Sequence, residues 1–173
     1  MIPNERTPSI TFGVTDPRSP IGREVIRRFY FDTVTRYWDR PATQREVTQA
    51  MSDEPSDDIC DGGGFFVVVY DGTRVVGCGG VRAVEQGLGE LTRVFIDAEA
   101  RGAGLGRKLI TELESISARR GIRTLRLTVR KDLAEAHHLY QRLSYEPVEP
   151  FSNSPYADHQ LAKILPPAGI VAE

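Results

Sequence analysis

The sequence predicts an α/β (α+β) fold with a mixed, mostly antiparallel sheet. Two observations lead to this fold class. Residues 65–84 form two β-rich runs around an Asp-Gly pair at 71–72, which is typical of a hairpin and begins an antiparallel meander. The second half alternates strand-like runs with helical stripes of apolar residues, which adds strand–helix–strand units to the same sheet. The chain of 173 residues is long enough for one domain with a sizeable core.

Local start and stop signals define the first elements. Residues 10–14 are expected to form a strand. The Ser-Pro pair at 19–20 is typical of a helix start, and apolar residues at helical spacing continue to about residue 38. A T-x-x-E capping box at 43–46 starts a second helix that ends near residue 52.

A loop at 53–64, acidic and then glycine-rich, precedes the hairpin, and a further β-rich run at 89–97 continues the meander. Side chains alternate between the two faces of a regular strand. The pattern therefore places Glu90, Thr92, Val94 and Ile96 on one face, and Leu91, Arg93, Phe95 and Asp97 on the other.

The second half predicts two helices and three strands. Helices are expected at about 104–120 and 133–143, and strands at 124–129, 144–148 and 157–165. Two arginines before Gly121 should end the first of these helices. Asp132, with Glu135 three positions later, can cap the start of the second. The whole chain, 1–173, is predicted to be a single domain with loosely ordered tails at 1–8 and 166–173.

Composition excludes several classes of function. The net charge of −2 gives no general attraction to nucleic acid, and the longest apolar run is far shorter than the roughly 20 residues of a membrane span. The N-terminus has no signal-peptide apolar region, and Cys60 and Cys78 lack metal-site spacing. We therefore expect a cytoplasmic protein with no metal, no nucleic-acid partner and no membrane partner. Monomer and homodimer remain open.

The start of the helix near residue 104 has unusual chemistry. Gly102, Gly104 and Gly106 stand where a capping side chain is usual, and they let another group approach the backbone closely. Arg107 and Lys108 add positive charge where the helix dipole is already positive. A bound phosphate or pyrophosphate would turn both unfavourable effects into favourable ones. On these residues alone, anion binding and a simple tight turn are both open.

The glycine spacing narrows the choice of anion. The stretch reads G-x-G-x-G, which fits a dinucleotide fingerprint poorly, and the strand before it belongs to a meander. The P-loop pattern is absent.

At these residues the chain resembles the GNAT superfamily of acetyl-CoA-dependent N-acetyltransferases. Arg101 to Gly106 fit the family's R/Q-x-x-G-x-G/A motif, and A-H-H-L-Y at 136–140 occupies its later A-x-x-L-Y segment. The good match runs from about 65 to 148. Leu133 stands where many members have Asn, and Ser144 where Gly is common.

The resemblance implies a GNAT-like sheet of six to seven strands flanked by about four helices, with a splay between the fourth and fifth strands. It also implies acetyl-CoA as co-substrate. Backbone N–H groups at 102–107 would bind the pyrophosphate, with Arg101, Arg107 or Lys108 adding charge. The pantetheine arm would lie along the open edge of the fourth strand. The implied cofactor-binding residues are Val94, Phe95, Ile96, Arg101, Gly102, Ala103, Gly104, Leu105, Gly106 and Arg107.

The implied catalytic residues are Tyr140 and Glu90. Tyr140 matches the family's usual proton donor to the leaving thiolate, although its helical stripe also suits a core aromatic. Glu90 is a candidate base for the attacking amine, acting directly or through water, or a solvated charge at a strand end. The histidines at 137, 138 and 159 are weaker candidates, because adjacent helical residues point about 100° apart.

The implied reaction is direct acetyl transfer from acetyl-CoA to a primary amine of a small molecule or protein. The acceptor amine is unidentified. The alternatives are a catalytically silent acyl-CoA-binding regulatory module and a nucleotide-phosphate enzyme of another fold, the latter with the weaker motif fit.

Overall fold

The computed structural model describes residues 7–169 of the chain. The helices of this part are α1 (Pro20–Trp38), α2 (Gln44–Asp53), α3 (Leu105–Arg119) and α4 (Ala134–Arg142), with single 3₁₀ turns at Asp57–Ile59 and Ala98–Ala100. The strands are β1 (Ile10–Val14), β2 (Phe65–Asp71), β3 (Arg74–Glu85), β4 (Leu88–Ile96), β5 (Thr124–Val129), β6 (Glu146–Pro147) and β7 (His159–Ile164). Most of the predicted tails lie outside the described residues.

The strands form one mixed sheet in the order β1-β2-β3-β4-β5-β7-β6. Neighbouring strands are antiparallel except for β4 and β5, which are parallel and joined through α3. This arrangement confirms the predicted fold class.

The predicted start signals form as expected. The Ser19 side chain accepts a hydrogen bond from the Gly22 backbone N–H at 3.1 Å and caps α1. Thr43 and Glu46 form a reciprocal capping box at the start of α2. Gly72 adopts a positive φ of 61° in the β2–β3 hairpin, which a side chain would disfavour.

Helices cover the sheet on both faces. On the α3 face, the apolar residues of α3 and α4 pack against alternate residues of β5, including Leu125 and Leu127. On the α1 face, α1 and α2 pack over β2, β3 and β4, where Phe66 and Cys78 are buried. Within the described residues, the core on the α1 face contains no residue of β5 or β7. The apolar residues of α1 and α2 are therefore buried against β2, β3 and β4.

The predicted alternation along β4 is wrong beyond Thr92. Thr92 pairs with Gly80 and Phe95 with Cys78, so two β4 residues oppose one β3 residue in a β-bulge. Arg93 adopts a positive φ of 53° there. Leu91 consequently packs on the α3 face and Phe95 on the α1 face, instead of sharing one face.

The predicted cap of α4 is also wrong. Leu133 occupies the N-cap position, and no side chain caps the helix. Asp132 pairs instead with Arg130 at 2.8 Å, and Glu135 pairs with Arg36 of α1. These ion pairs take the two carboxylates that the sequence assigned to the helix start.

The turn after α4 shows why glycine is common in the family at the position of Ser144. Ser144 adopts a left-handed conformation with φ of 71°, which favours glycine. The strand expected at 144–148 is shorter than predicted, Glu146–Pro147, because residue 144 belongs to this turn.

Candidate active site

β4 and β5 separate after a short paired stretch and leave an opening between them. The two strands pair only at Leu88–Thr124, Gly89–Leu125 and Glu90–Arg126. Beyond Glu90, β5 continues along β7, whereas β4 has no β5 partner. The expected splay is therefore present, and Val94, Phe95 and Ile96 lie on the open part of β4.

Arg93 fixes the bulge at the edge of this opening. Its side chain is buried, and its guanidinium donates hydrogen bonds to the Glu54 carbonyl at 2.8 Å and the Pro55 carbonyl at 3.2 Å. These bonds tie β4 to the end of α2. The sequence pattern places Arg93 on a strand face and gives it no role. The signal for one is a charged side chain inside a β-rich run, where a buried guanidinium needs hydrogen-bond acceptors.

The loop before α3 presents unsatisfied backbone N–H groups. Gly104 is the N-cap, and no side chain caps the helix. Gly102 and Gly104 adopt positive φ values of 86° and 76°. Among the described residues, no acceptor bonds the backbone N–H groups of 102–107. A Cβ added at Gly102 or Gly104 would meet no atom within 4 Å, so the loop faces open space.

The flanking residues of this loop have separate roles. Leu105 is buried in the core and anchors the loop. A Cβ at Gly106 would lie 3.1 Å from the Leu139 side chain, so the third glycine lets α3 and α4 pack closely. Ala103, Arg107 and Lys108 are exposed, and the two cations stand beside the N–H groups.

Arg101 connects the loop to the strand opening. Its Nε donates to the Ile96 carbonyl at 2.8 Å, and its guanidinium lies 3.3 Å from Asp32 of α1. The same group stands 5.9 Å from the centre of the Phe95 ring. Arg101 thus holds the N–H-rich loop next to the open edge of β4.

Tyr140 lies on α4 within the core of the α3 face. Its ring makes an edge contact with Tyr145 at 5.6 Å between centroids. Burial raises the pKa of Tyr140 above its ordinary value, so the phenol stays protonated at neutral pH. Its hydroxyl has no hydrogen-bond partner in the described part of the chain and is not among the fully enclosed unpartnered atoms there. A proton that can be donated to a ligand is therefore available.

Glu90 lies at the apex of the opening, at the last β4–β5 pair. Arg82 donates to one carboxylate oxygen at 2.7 Å, and Arg126 donates to the other at 3.0 Å. The side chain is 14% exposed. Each oxygen retains capacity for a further hydrogen bond, such as one from a water.

The three histidines form a stack between α4 and β7. The His137 ring lies 3.9 Å from that of His159 and 6.4 Å from that of His138, centroid to centroid. Burial and the two neighbouring imidazoles lower the pKa of His137. The stack packs on the α3 face, whereas Glu90 points to the α1 face.

The described residues show neither a metal-binding cluster nor a membrane-spanning helix. Between residues 7 and 169, no group of three or more His, Cys, Asp or Glu side chains is arranged to hold a metal ion. None of the helices in the same range combines the length and apolarity of a membrane span.

Comparison with known proteins agrees with this geometry. The chain is 33% identical over 102 residues to an IAA acetyltransferase from Azospirillum brasilense, and the match spans 58% of this chain and 65% of that relative's length. A GNAT-family acetyltransferase structure from Staphylococcus aureus Mu50 has a TM-score of 0.74 at 15% identity, covering 91% of this chain and all of that one.

A spermidine N-acetyltransferase from Vibrio cholerae, solved with CoA and spermine, has a TM-score of 0.63 at 18% identity, covering 90% of this chain and 95% of that one. Residues 29–145 match the sequence pattern described as the Acetyltransferase (GNAT) family. This match covers more than half of the chain, and with the splayed sheet it shows that the protein belongs to the GNAT family of acetyltransferases.

Proposed function

We propose that this acetyltransferase moves an acetyl group from acetyl-CoA to a primary amine, by direct attack in a ternary complex. The observation that carries the proposal is the position of the unsatisfied N–H groups at 102–107, directly beside the open edge of β4. One site of this kind can hold both ends of a long coenzyme. The Vibrio cholerae relative, solved with CoA and a polyamine, supports this choice of substrates.

The N–H groups of residues 102–107 bind the coenzyme diphosphate in this proposal. Backbone donors at a helix N-terminus suit phosphate oxygens, and the exposed Arg107 and Lys108 supply charge. Gly102 and Gly104 keep the surface free of side chains. The phosphate oxygens would then satisfy the N–H groups that no described side chain caps at the start of α3.

The open edge of β4 orients the thioester. Backbone groups of Val94, Phe95 and Ile96 lie beyond the last β4–β5 pair and can bond the pantetheine arm. A backbone N–H here is the expected donor to the oxyanion that forms during attack. Removal of one such donor typically costs about 10² to 10³ in rate.

Two side chains move protons. Tyr140 gives its phenolic proton to the departing thiolate, since it is protonated at neutral pH and its hydroxyl is unpartnered within the described residues. Glu90 takes the proton from the attacking amine, directly or through one water. The two residues belong to opposite faces of the sheet, and the opening between β4 and β5 connects these faces.

The test combines binding with turnover. We expect isothermal titration calorimetry to show acetyl-CoA binding, and a panel of primary amines to include at least one that is acetylated, as detected by mass spectrometry. Coenzyme binding with no acetylation of any amine would contradict the proposal and favour a regulatory acyl-CoA-binding module.

A further inference from the structure

We infer that the acceptor is a zwitterionic amino acid, whose carboxylate is bound by the Arg126 guanidinium. The inference rests on the proposed function, because it names the substrate class of the same site. It depends on the position of Arg126, on its unused hydrogen-bond donors and on the charges around it.

Arg126 stands where the pairing of β4 and β5 ends. It belongs to the last β4–β5 pair, opposite Glu90. Its neighbours Leu125 and Leu127 point into the core of the α3 face, so Arg126 points to the α1 face. The apolar core that α1 and α2 form on this face includes no described residue of β5, and the Phe151 ring packs over Arg126 instead.

The guanidinium of Arg126 is held in place but not saturated. Its Nε donates to Glu90, and its central carbon lies 4.1 Å from the centre of the Phe151 ring. Gln160 holds the backbone of Phe151, because its Oε1 accepts from the Phe151 backbone N–H at 2.7 Å. In the described chain, neither terminal nitrogen of Arg126 has an acceptor, although the side chain is only 22% exposed.

The second arginine at Glu90 makes an informative contrast. Both terminal nitrogens of Arg82 are engaged, one by Asp58 at 2.9 Å and the other by Glu90 at 2.7 Å. Arg82 therefore satisfies the local carboxylates, whereas Arg126 keeps a planar pair of donors for a ligand. Such a pair matches a carboxylate in a bidentate geometry.

The charges of the cluster favour a zwitterion. The two arginines balance Glu90 and Asp58, so the cluster is neutral at neutral pH. An amine alone would add one positive charge, and a carboxylic acid alone one negative charge. An amino acid adds neither, because its carboxylate pairs with Arg126 while its ammonium lies towards the Glu90 carboxylate before deprotonation. This juxtaposition requires the two groups to be close together in the acceptor.

The test compares L-amino acids with their carboxamides as acceptors in steady-state assays. We expect the wild-type enzyme to prefer the amino acids. Arg126→Gln should lower this preference about 10- to 100-fold, mainly through a higher KM for the amino acid. Arg126→Lys should lower it less, because the charge remains. Arg82→Gln is the charge-matched control: it also removes one positive charge and a partner of Glu90, but it keeps the two terminal nitrogens of Arg126, so it should lower the preference clearly less than Arg126→Gln does.

The outcomes separate the two proposals. Equal or better use of carboxamides by the wild-type enzyme, or an equal loss for both acceptors in Arg126→Gln, would overturn the inference while amine acetylation stands. An equal loss of preference in Arg82→Gln would also overturn it, since the effect would then act through Glu90. Coenzyme binding without acetylation of either acceptor would also overturn the inference, whereas the proposed function fails only if no other primary amine is acetylated.

Discussion

At the scale of the residue, Tyr140 has a packed ring and, among the described residues, an unpartnered hydroxyl. Its ring packs in the core of the α3 face, and its hydroxyl is unpartnered within the described residues. The hydroxyl of its aromatic neighbour Tyr145 instead donates a hydrogen bond to Glu114 Oε1 at 3.0 Å. The two tyrosines share burial and packing but differ in whether a proton is available to a ligand.

Tyr140→Phe should therefore lower kcat by about 10² to 10⁴ while leaving the Kd for acetyl-CoA unchanged, because only the proton donor is lost. Tyr145→Phe is the matched control and should keep kcat within a few-fold, with a modest loss of stability. Steady-state kinetics and calorimetry measure these effects. Full activity of Tyr140→Phe would make that residue a core aromatic only.

Glu90→Gln tests the base. Gln cannot accept the amine proton, so kcat/KM should fall and lose its decline on the acid side of the pH–rate profile. Asp58→Asn removes the other carboxylate bound to Arg82 and should retain that decline. An unchanged profile in Glu90→Gln would assign the proton to water or another group.

Gly104→Val tests the loop. A side chain at this position is strained by the positive φ and blocks approach to the N–H groups, so we expect the affinity for acetyl-CoA to fall at least tenfold. Gly121→Val is the control, because Gly121 has a similar φ of 82° at the other end of α3 with no atom within 4 Å. It should lose stability but keep affinity. Equal affinity losses in both variants would point to strain alone.

At the scale of the element, the turn after α4 is strained. Ser144 is exposed and adopts a φ of 71°, which disfavours a side chain. Ser144→Gly should raise the free energy of unfolding by roughly 0.5 to 1 kcal/mol, since relief of strain exceeds the added entropy of the unfolded chain. Urea unfolding measures the change. A destabilised glycine variant would show that the turn holds no such strain.

Several elements could be predicted because their signals are local. The Ser19 cap, the capping box at Thr43 and the uncapped start of α3 depend on residues within one turn of the helix. The missing cap of α4 could not be predicted, because Arg36 lies about a hundred positions from Glu135 and pairs with it only in the folded chain. The β4 bulge likewise depends on Arg93 reaching the carbonyls at the end of α2.

The residues of the candidate site could likewise be predicted only where a local motif marks them. The glycine loop and Tyr140 carry recognisable motifs, and the splay followed from the family resemblance. The role proposed for Arg126 has no sequence motif, because its unused donors are apparent only once Glu90 and Phe151 are placed around it.

At the scale of the whole molecule, buried tyrosines should make the protein less stable at alkaline pH. Burial raises the pKa values of Tyr30, Tyr140 and Tyr145 above their ordinary value. The unfolded chain loses these protons near pH 10 while the folded chain keeps them. The unfolded state then binds fewer protons, so the free energy of unfolding should fall as the pH rises above about 10. Urea unfolding at pH 8 and pH 10.5 measures this, and equal midpoints would contradict it.

We propose that the uncapped start of α3 binds the coenzyme diphosphate. A crystal structure with coenzyme A bound tests it most directly. We expect diphosphate oxygens at about 2.7 to 3.2 Å from backbone nitrogens of 102–107. A coenzyme bound elsewhere, or those nitrogens bonded to a carboxylate of the protein itself, would rule out this binding site.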